Sequence, residues 1–379
     1  MKTPRFAFAL GAGIVGAVVS YGEEPSSLAR KFITIANESK IGYVIGVQLP
    51  KGAKPVLLPR CEDDADASLL RVVLRSDGKR ELVPWETKKQ AADLFWRAEE
   101  AFSKQDWKTA QALYSKVLEL DSDYGPAWLF SGDVAYRMGD FEEALRRYRK
   151  AIELDKTNPT AHLFAGDALL QLGRQEEALR EYLLALAYRP TYRLAEAKIR
   201  SLGAKIGYFF FRMPFDPPDG VFPAKKGENV HVPTDPKAKD AVAWLSFSLC
   251  QAVWRYEPEY RKDVANRQEP FSLERDAECI QAFWDSWGDV LKEEAAKKLE
   301  EKPEGQEKPA ITAEDVSERG KHVARVLVTN TLPGYVLVEY LGMRCSRAMR
   351  FLPDAAIELA VEYLSKACFV ADARRTGTP

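Results

Sequence analysis

Residues 91–192 can be written as three lines of equal length: AADLFWRAEEAFSKQDWKTAQALYSKVLELDSDY (91–124), GPAWLFSGDVAYRMGDFEEALRRYRKAIELDKTN (125–158) and PTAHLFAGDALLQLGRQEEALREYLLALAYRPTY (159–192). Stacked this way they agree in the columns that decide packing. Column eight holds Ala98, Gly132 and Gly166, and column twenty holds Ala110, Ala144 and Ala178. A small residue at the same place in every copy marks a point where two helices approach closely. One helical turn beyond the second small column stand Tyr114, Tyr148 and Tyr182, each a large side chain expected to pack back on its partner helix. Column seventeen holds Trp107, Phe141 and Gln175, and Asp106 and Asp140 precede the first two as expected caps of a second helix. Each line therefore predicts a pair of helices. Repeated pairs stack into a solenoid, because one pair alone cannot bury its apolar face.

The pattern resembles the tetratricopeptide repeat family over about 91–190, with Pro190 ending the third unit and a solvating helix expected over 192–202. It departs from the family at column seven, where Arg97, Ser131 and Ala165 replace a large aliphatic residue, and only the third unit has proline at column thirty-two. The resemblance implies a concave face lined by the first helix of each pair, the surface on which this family typically holds peptides or partner segments. Carried onto this sequence, the lining positions are Phe95, Trp96, Glu99, Phe102 and Ser103 in the first unit. The second unit offers Leu129, Phe130, Asp133, Tyr136 and Arg137, and the third Leu163, Phe164, Asp167, Leu170 and Gln171.

The expected groove is an apolar trough with one acid per unit, Glu99, Asp133 and Asp167, running along it. Such a trough suits an extended segment that carries apolar side chains and Lys or Arg. It does not suit the terminal-carboxylate clamp of some family members, which needs Lys and Asn where Phe95 and Glu99 stand. An apolar trough of this kind calls for an occupant. Besides a protein or peptide partner, the chain's own segment 206–215, IGYFFFRMPF with Arg212, is a candidate for part of it.

Composition limits the rest. The chain has 379 residues, 46% hydrophobic and 29% charged, with a net charge of −1. It lacks the basic excess that neutralises phosphates, so no nucleic-acid partner is expected, nor a polybasic membrane-surface role. Cys61, Cys250, Cys279, Cys345 and Cys368 form no CxxC, and His162, His231 and His322 stand apart from one another. No metal site and no cofactor is expected. No GxSxG, HExxH, Walker A or kinase motif occurs, so no catalytic residue is assigned.

The first 22 residues read as an export signal or short anchor: Lys2 and Arg5, an apolar run over 6–19, then small residues. Within them GAGIVG matches the GxGxxG fingerprint, but too little chain follows for a dinucleotide-binding domain. A real signal places the protein in the periplasm or cell envelope, with membrane contact only through this segment if it stays uncleaved; otherwise the protein is cytoplasmic. In the exported case Cys250 with Cys279 and Cys345 with Cys368 are the pairs to test as disulfides, leaving Cys61 over.

Residues 23–86 are expected to form a small mixed α/β region, with strand-like runs at 41–49 and 69–75 and a hairpin turn at Asp77-Gly78. Residues 87–205 are the repeats and their capping helix. Residues 206–237 are a Pro/Gly-rich connector, in which 214–236 hold too many prolines and glycines for regular structure. Residues 238–379 are expected to be a helical domain with a charged loop at 292–312, a core built on Trp244, Trp254, Trp284 and Trp287, and a last helix capped by Asp354. The acids Glu257, Glu259, Asp263, Asp276 and Glu278 show no acid/base spacing. The expected fold is thus mainly α: a tetratricopeptide α-solenoid with a small β-containing N-terminal region and a helical C-terminal domain. The function expected is that of a protein-interaction adaptor or scaffold. The alternative is an enzyme of unknown reaction in the C-terminal domain, with the repeats recruiting its substrate.

Overall fold

A computed structural model describes residues 27–40, 43–46, 67–215, 217, 230–233, 241–265, 273–300 and 318–371. The expected signal segment 1–22, Cys61 and the charged stretch 301–312 lie outside the described residues. In chain order the elements begin with α1 (Ser27–Glu38), β1 (Tyr43–Gly46), β2 (Leu70–Leu74) and β3 (Arg80–Pro84). The repeat helices follow as α2 (Lys89–Ser103), α3 (Trp107–Leu120), α4 (Gly125–Arg137), α5 (Phe141–Leu154), α6 (Pro159–Gln171) and α7 (Gln175–Tyr188). After them come α8 (Arg193–Lys205), β4 (Tyr208–Phe210), β5 (Val230–Pro233), α9 (Ala241–Tyr256), α10 (Pro258–Ala265) and α11 (Leu273–Glu300). The chain closes with α12 (Glu318–Val328), α13 (Leu332–Tyr335), a π-helical stretch Val336–Gly342, a 3₁₀ turn Ser346–Phe351, α14 (Asp354–Lys366) and β6 (Phe369–Ala371). No helix among the described residues is long and apolar enough to cross a membrane.

The chain folds as two units, one of residues 1–59 with 213–336 and one of 60–212 with 337–379. This division departs from the expected domains. The region 23–86 is parted: β1 pairs in parallel with β5 in the first unit, whereas β2 and β3 form the expected hairpin in the second. The C-terminal half is parted too, because residues after 336 belong with the repeats. The connector 206–237 supplies β4 and, within the stretch 214–236 expected to be irregular, β5, and each finds its partner strand far away in sequence.

In the first unit α9 packs along α11, and α1 lies against both. The tryptophan-rich core forms as the apolar faces predict: Trp244 meets Phe283 at 4.3 Å, Trp284 meets Tyr335 at 4.8 Å, and Phe215 meets Trp244 at 5.4 Å. Two of the acids that show no acid/base spacing, Glu257 and Glu278, serve as acceptors in this packing. Glu278 accepts from Trp254 Nε1 at 2.6 Å, Tyr260 OH at 2.7 Å and Lys31 Nζ at 3.0 Å. Glu257 accepts from Ser39 Oγ at 2.5 Å and Tyr43 OH at 2.7 Å.

In the second unit the helix pairs start where the caps predict. Asp106 and Asp140 each accept a bond at 3.1 Å, from Thr109 N and Glu143 N. Arg174 holds that place in the third unit without a side-chain cap. The small columns explain themselves sterically: a Cβ on Gly132 would lie 2.6 Å from the Tyr148 ring, and one on Gly166 2.5 Å from Tyr182. Ala98 shows that a methyl group fits where the ring has settled around it, so a branched residue is the sharper probe. Gly166→Val should cost about 1–3 kcal/mol of stability, read as a lower urea midpoint.

After the repeats, α8 continues the stack, and α14 and the 3₁₀ turn pack on α7. Arg350, buried in that turn, donates to Asp155 Oδ2 at 2.7 Å, Thr157 Oγ1 at 3.2 Å and Leu70 O at 2.9 Å. Asp354 is the first residue inside α14 rather than its cap, a place taken by Pro353. Cys345 is disulfide-bonded, whereas Cys250, Cys279 and Cys368 carry buried thiols, so neither expected pair, Cys250–Cys279 or Cys345–Cys368, is closed.

Candidate peptide-binding groove

The first helices of the three pairs, α2, α4 and α6, each carry one acid at column nine. In every unit the column-twenty-four tyrosine reaches it: Tyr114 OH donates to Glu99, Tyr148 OH to Asp133 at 2.8 Å and Tyr182 OH to Asp167 at 2.6 Å. Columns eight, nine and twenty-four are therefore one device. The small residue lets the tyrosine ring cross the first helix, and its hydroxyl then lands on the acid one place along. To the expected line of one acid per unit the structure adds that each carboxylate is held by the second helix of its own pair. The signal was present in the sequence as an acid and a tyrosine recurring together in all three units.

Holding the acids leaves their charge in a low-dielectric strip. Burial pushes the Asp133 carboxyl up to about 6, against the Tyr148 bond and Arg137, while Glu99 and Asp167 add repulsion from either side. Burial and the adjoining carboxylates also raise Tyr114, Tyr148 and Tyr182 far above an ordinary phenol. At the third unit the chain supplies its own cation: Lys198 Nζ on α8 lies 2.8 Å from Asp167.

The apolar positions divide. Phe95, Leu129 and Leu163, expected to line the groove, are buried and belong to the core. Phe95 packs edge-on against Trp96, Tyr114, Tyr124 and Phe130 at 5.3–5.9 Å. Trp96 is 59% exposed. Phe102, Phe130, Tyr136, Phe164 and Leu170 are half-buried, and Arg137 and Gln171 are exposed. Phe102 and Tyr136 lean on Trp107 and Phe141, the column-seventeen residues, at 5.0 and 5.2 Å. Phe164 tilts over Tyr148 at 5.7 Å, which places an aromatic surface beside the Asp133 carboxylate that Tyr148 holds.

The segment named as a candidate occupant has other described contacts. Residues 208–210 pair antiparallel with 369–371, and Phe210 is buried at 5.1 Å from Phe369. Arg212 donates to Glu339, to Glu196 and to Pro190 O. Among the described residues no group of three or more His, Cys, Asp or Glu is arranged to hold a metal ion. His162 sits between Glu181 at 2.6 Å and the Lys156 carbonyl at 2.9 Å and stacks on Tyr188, a packing role.

The family description "tetratricopeptide repeat" matches residues 131–193. Among solved structures, the first such repeat domain of Spaghetti (RPAP3) bound to the HSP90 peptide SRMEEVD is 20% identical, covering 32% of this chain and 97% of that one, with a TM-score of 0.31. The Arabidopsis OM64 repeat domain is 22% identical, covering 30% and 94%, with a TM-score of 0.30. The Yersinia enterocolitica type III secretion chaperone SycD, in complex with a peptide of the translocator YopD, is 21% identical, covering 32% and 94%, also at 0.30. Among curated proteins none matches the sequence.

Proposed function

We propose, from the premise that this chain is a tetratricopeptide repeat protein, that it is an interaction adaptor whose groove binds an extended segment bearing apolar side chains and a Lys or Arg. The observation that carries this reading is the row of tyrosine-held carboxylates beside exposed and half-buried aromatics. A carboxylate fixed in advance loses little freedom when a cation arrives, and the aromatic walls offer apolar area and ring faces to the residues next to it. Lys198 on Asp167 shows the chemistry within the chain: an ammonium at 2.8 Å from an acid that still accepts its tyrosine bond.

Trp96 is the residue to probe first, because its exposure separates binding from folding; Phe130 and Phe164 also support the core and would confound the two. The test is binding of the full chain to two immobilised peptide sets that alternate aromatic residues with Lys or with Glu. The Lys set should be retained and the Glu set not. Trp96→Ala should weaken retention by about tenfold or more, as the loss of an aromatic anchor does, with the unfolding midpoint unchanged. Equal retention of both sets would overturn the proposal.

A further inference from the structure

Two helices of the first unit bring their cysteines together in the core. Cys250 on α9 and Cys279 on α11 are fully buried, and their sulfur atoms lie 2.7 Å apart. Both are thiols in the structure, and their separation is longer than an S–S bond of about 2.05 Å, so the two sulfurs are neighbours that a small approach would join. The surroundings hold them there. α9 and α11 run against each other, Leu249, Ala252 and Val253 are buried on one side and Ile280, Ala282 and Phe283 on the other. A second observation comes from the other unit, where Cys345 is disulfide-bonded. Disulfides form and persist in oxidising compartments, so the Cys345 bond points to an environment in which the adjoining Cys250 and Cys279 thiols can be oxidised too.

We propose that Cys250 and Cys279 close a disulfide that staples α9 to α11, and that the chain matures in an oxidising compartment. The bond forms by exchange with an oxidised disulfide carrier, a small molecule or an oxidoreductase. One cysteine thiolate attacks a carrier sulfur, and the second cysteine then displaces the carrier from the mixed disulfide. The two electrons and two protons lost by the cysteines leave with the carrier as two thiols, so the exchange balances. Burial raises both thiols above their ordinary range, which makes the closed core a poor place for thiolate attack. Closure therefore belongs to folding, before the helices shut, and the packed core then shields the product from reductant.

The experiment isolates the full chain in denaturant under a first alkylating reagent, reduces it, adds a second reagent of different mass, and weighs the peptides that contain Cys250 and Cys279. Both cysteines should carry only the second label. In Cys250→Ser, Cys279 should carry the first. Thiol reductant should lower the unfolding midpoint of the native chain by several degrees more than that of Cys250→Ser, in which only the Cys345 bond is left to reduce. First label on both cysteines of the native chain would overturn the proposal. Peptide capture plays no part in these readouts, so the outcome stands apart from that of the groove.

Discussion

Glu339→Ala should destabilise the repeat-containing unit by about 3–5 kcal/mol, the effect of removing one partner from a buried ion pair. Glu339 lies in the π-helical stretch Val336–Gly342 and is closed to solvent. It accepts from Arg212 Nε at 2.7 Å, Arg212 Nη2 at 3.1 Å and Tyr363 OH at 2.9 Å. Arg212 is buried as well; burial alone would lower its pKa, and Glu339 lifts it above the usual guanidinium range instead. With alanine in place, Arg212 keeps Glu196 at 3.1 Å and the Pro190 carbonyl at 2.9 Å but loses its bidentate partner. Urea unfolding measures the loss, and the double variant Arg212→Met with Glu339→Leu should recover most of it, because removing both charges leaves neither unpaired. A loss below about 1 kcal/mol in Glu339→Ala, the range of an exposed pair, would show that the site is wetter than its packing indicates.

The elements that were legible in the sequence are those written in short-range pattern. The three helix pairs follow from columns eight, twenty and twenty-four, because the residues that touch are a fixed distance apart within each unit. The β2–β3 hairpin follows from Asp77-Gly78, where Gly78 adopts a φ of +80° that favours glycine. The parallel pairing of Tyr43–Gly46 with Val230–Pro233, and the meeting of Arg212 with Glu339, 127 residues later, have no local signature. Neither end of such a contact shows in its own stretch of sequence that a partner exists, so the domain borders drawn through composition fell in other places. The groove was half legible for a similar reason. Periodicity gives the face on which Phe95 and Trp96 stand side by side, but only the placement of Tyr114, Tyr124 and Phe130 decides that the first is covered and the second open.

Asp133→Asn should weaken binding of a Lys-bearing segment by about 10–100-fold while making the protein more stable at neutral pH, two changes of opposite sign from one atom. The carboxyl of Asp133 titrates near 6 in the fold against 3.8 in an ordinary setting. The folded chain thus favours the protonated form, and the stability this confers is complete below about 4 and lost as pH rises through about 6. That displacement corresponds to about 3 kcal/mol, reduced to about 1–2 kcal/mol by the side chain's residual contact with water. Asparagine carries no charge and its carbonyl still accepts from Tyr148, so the variant should gain that amount at pH 8 and nothing at pH 4. Binding runs the other way, because the charge that strains the fold is the one that attracts the cation. The groups that face Asp133 are Tyr148, Arg137, Glu99 and Asp167, and Asp167 already shares Lys198. The native chain should therefore release a Lys-bearing peptide as pH falls through about 6, and the asparagine variant should bind it weakly at every pH. A variant that gains stability yet keeps full affinity would show that the cation sits at Glu99 alone; a variant that loses affinity without gaining stability would show that Asp133 is better hydrated than its place between Tyr148 and its neighbouring acids implies.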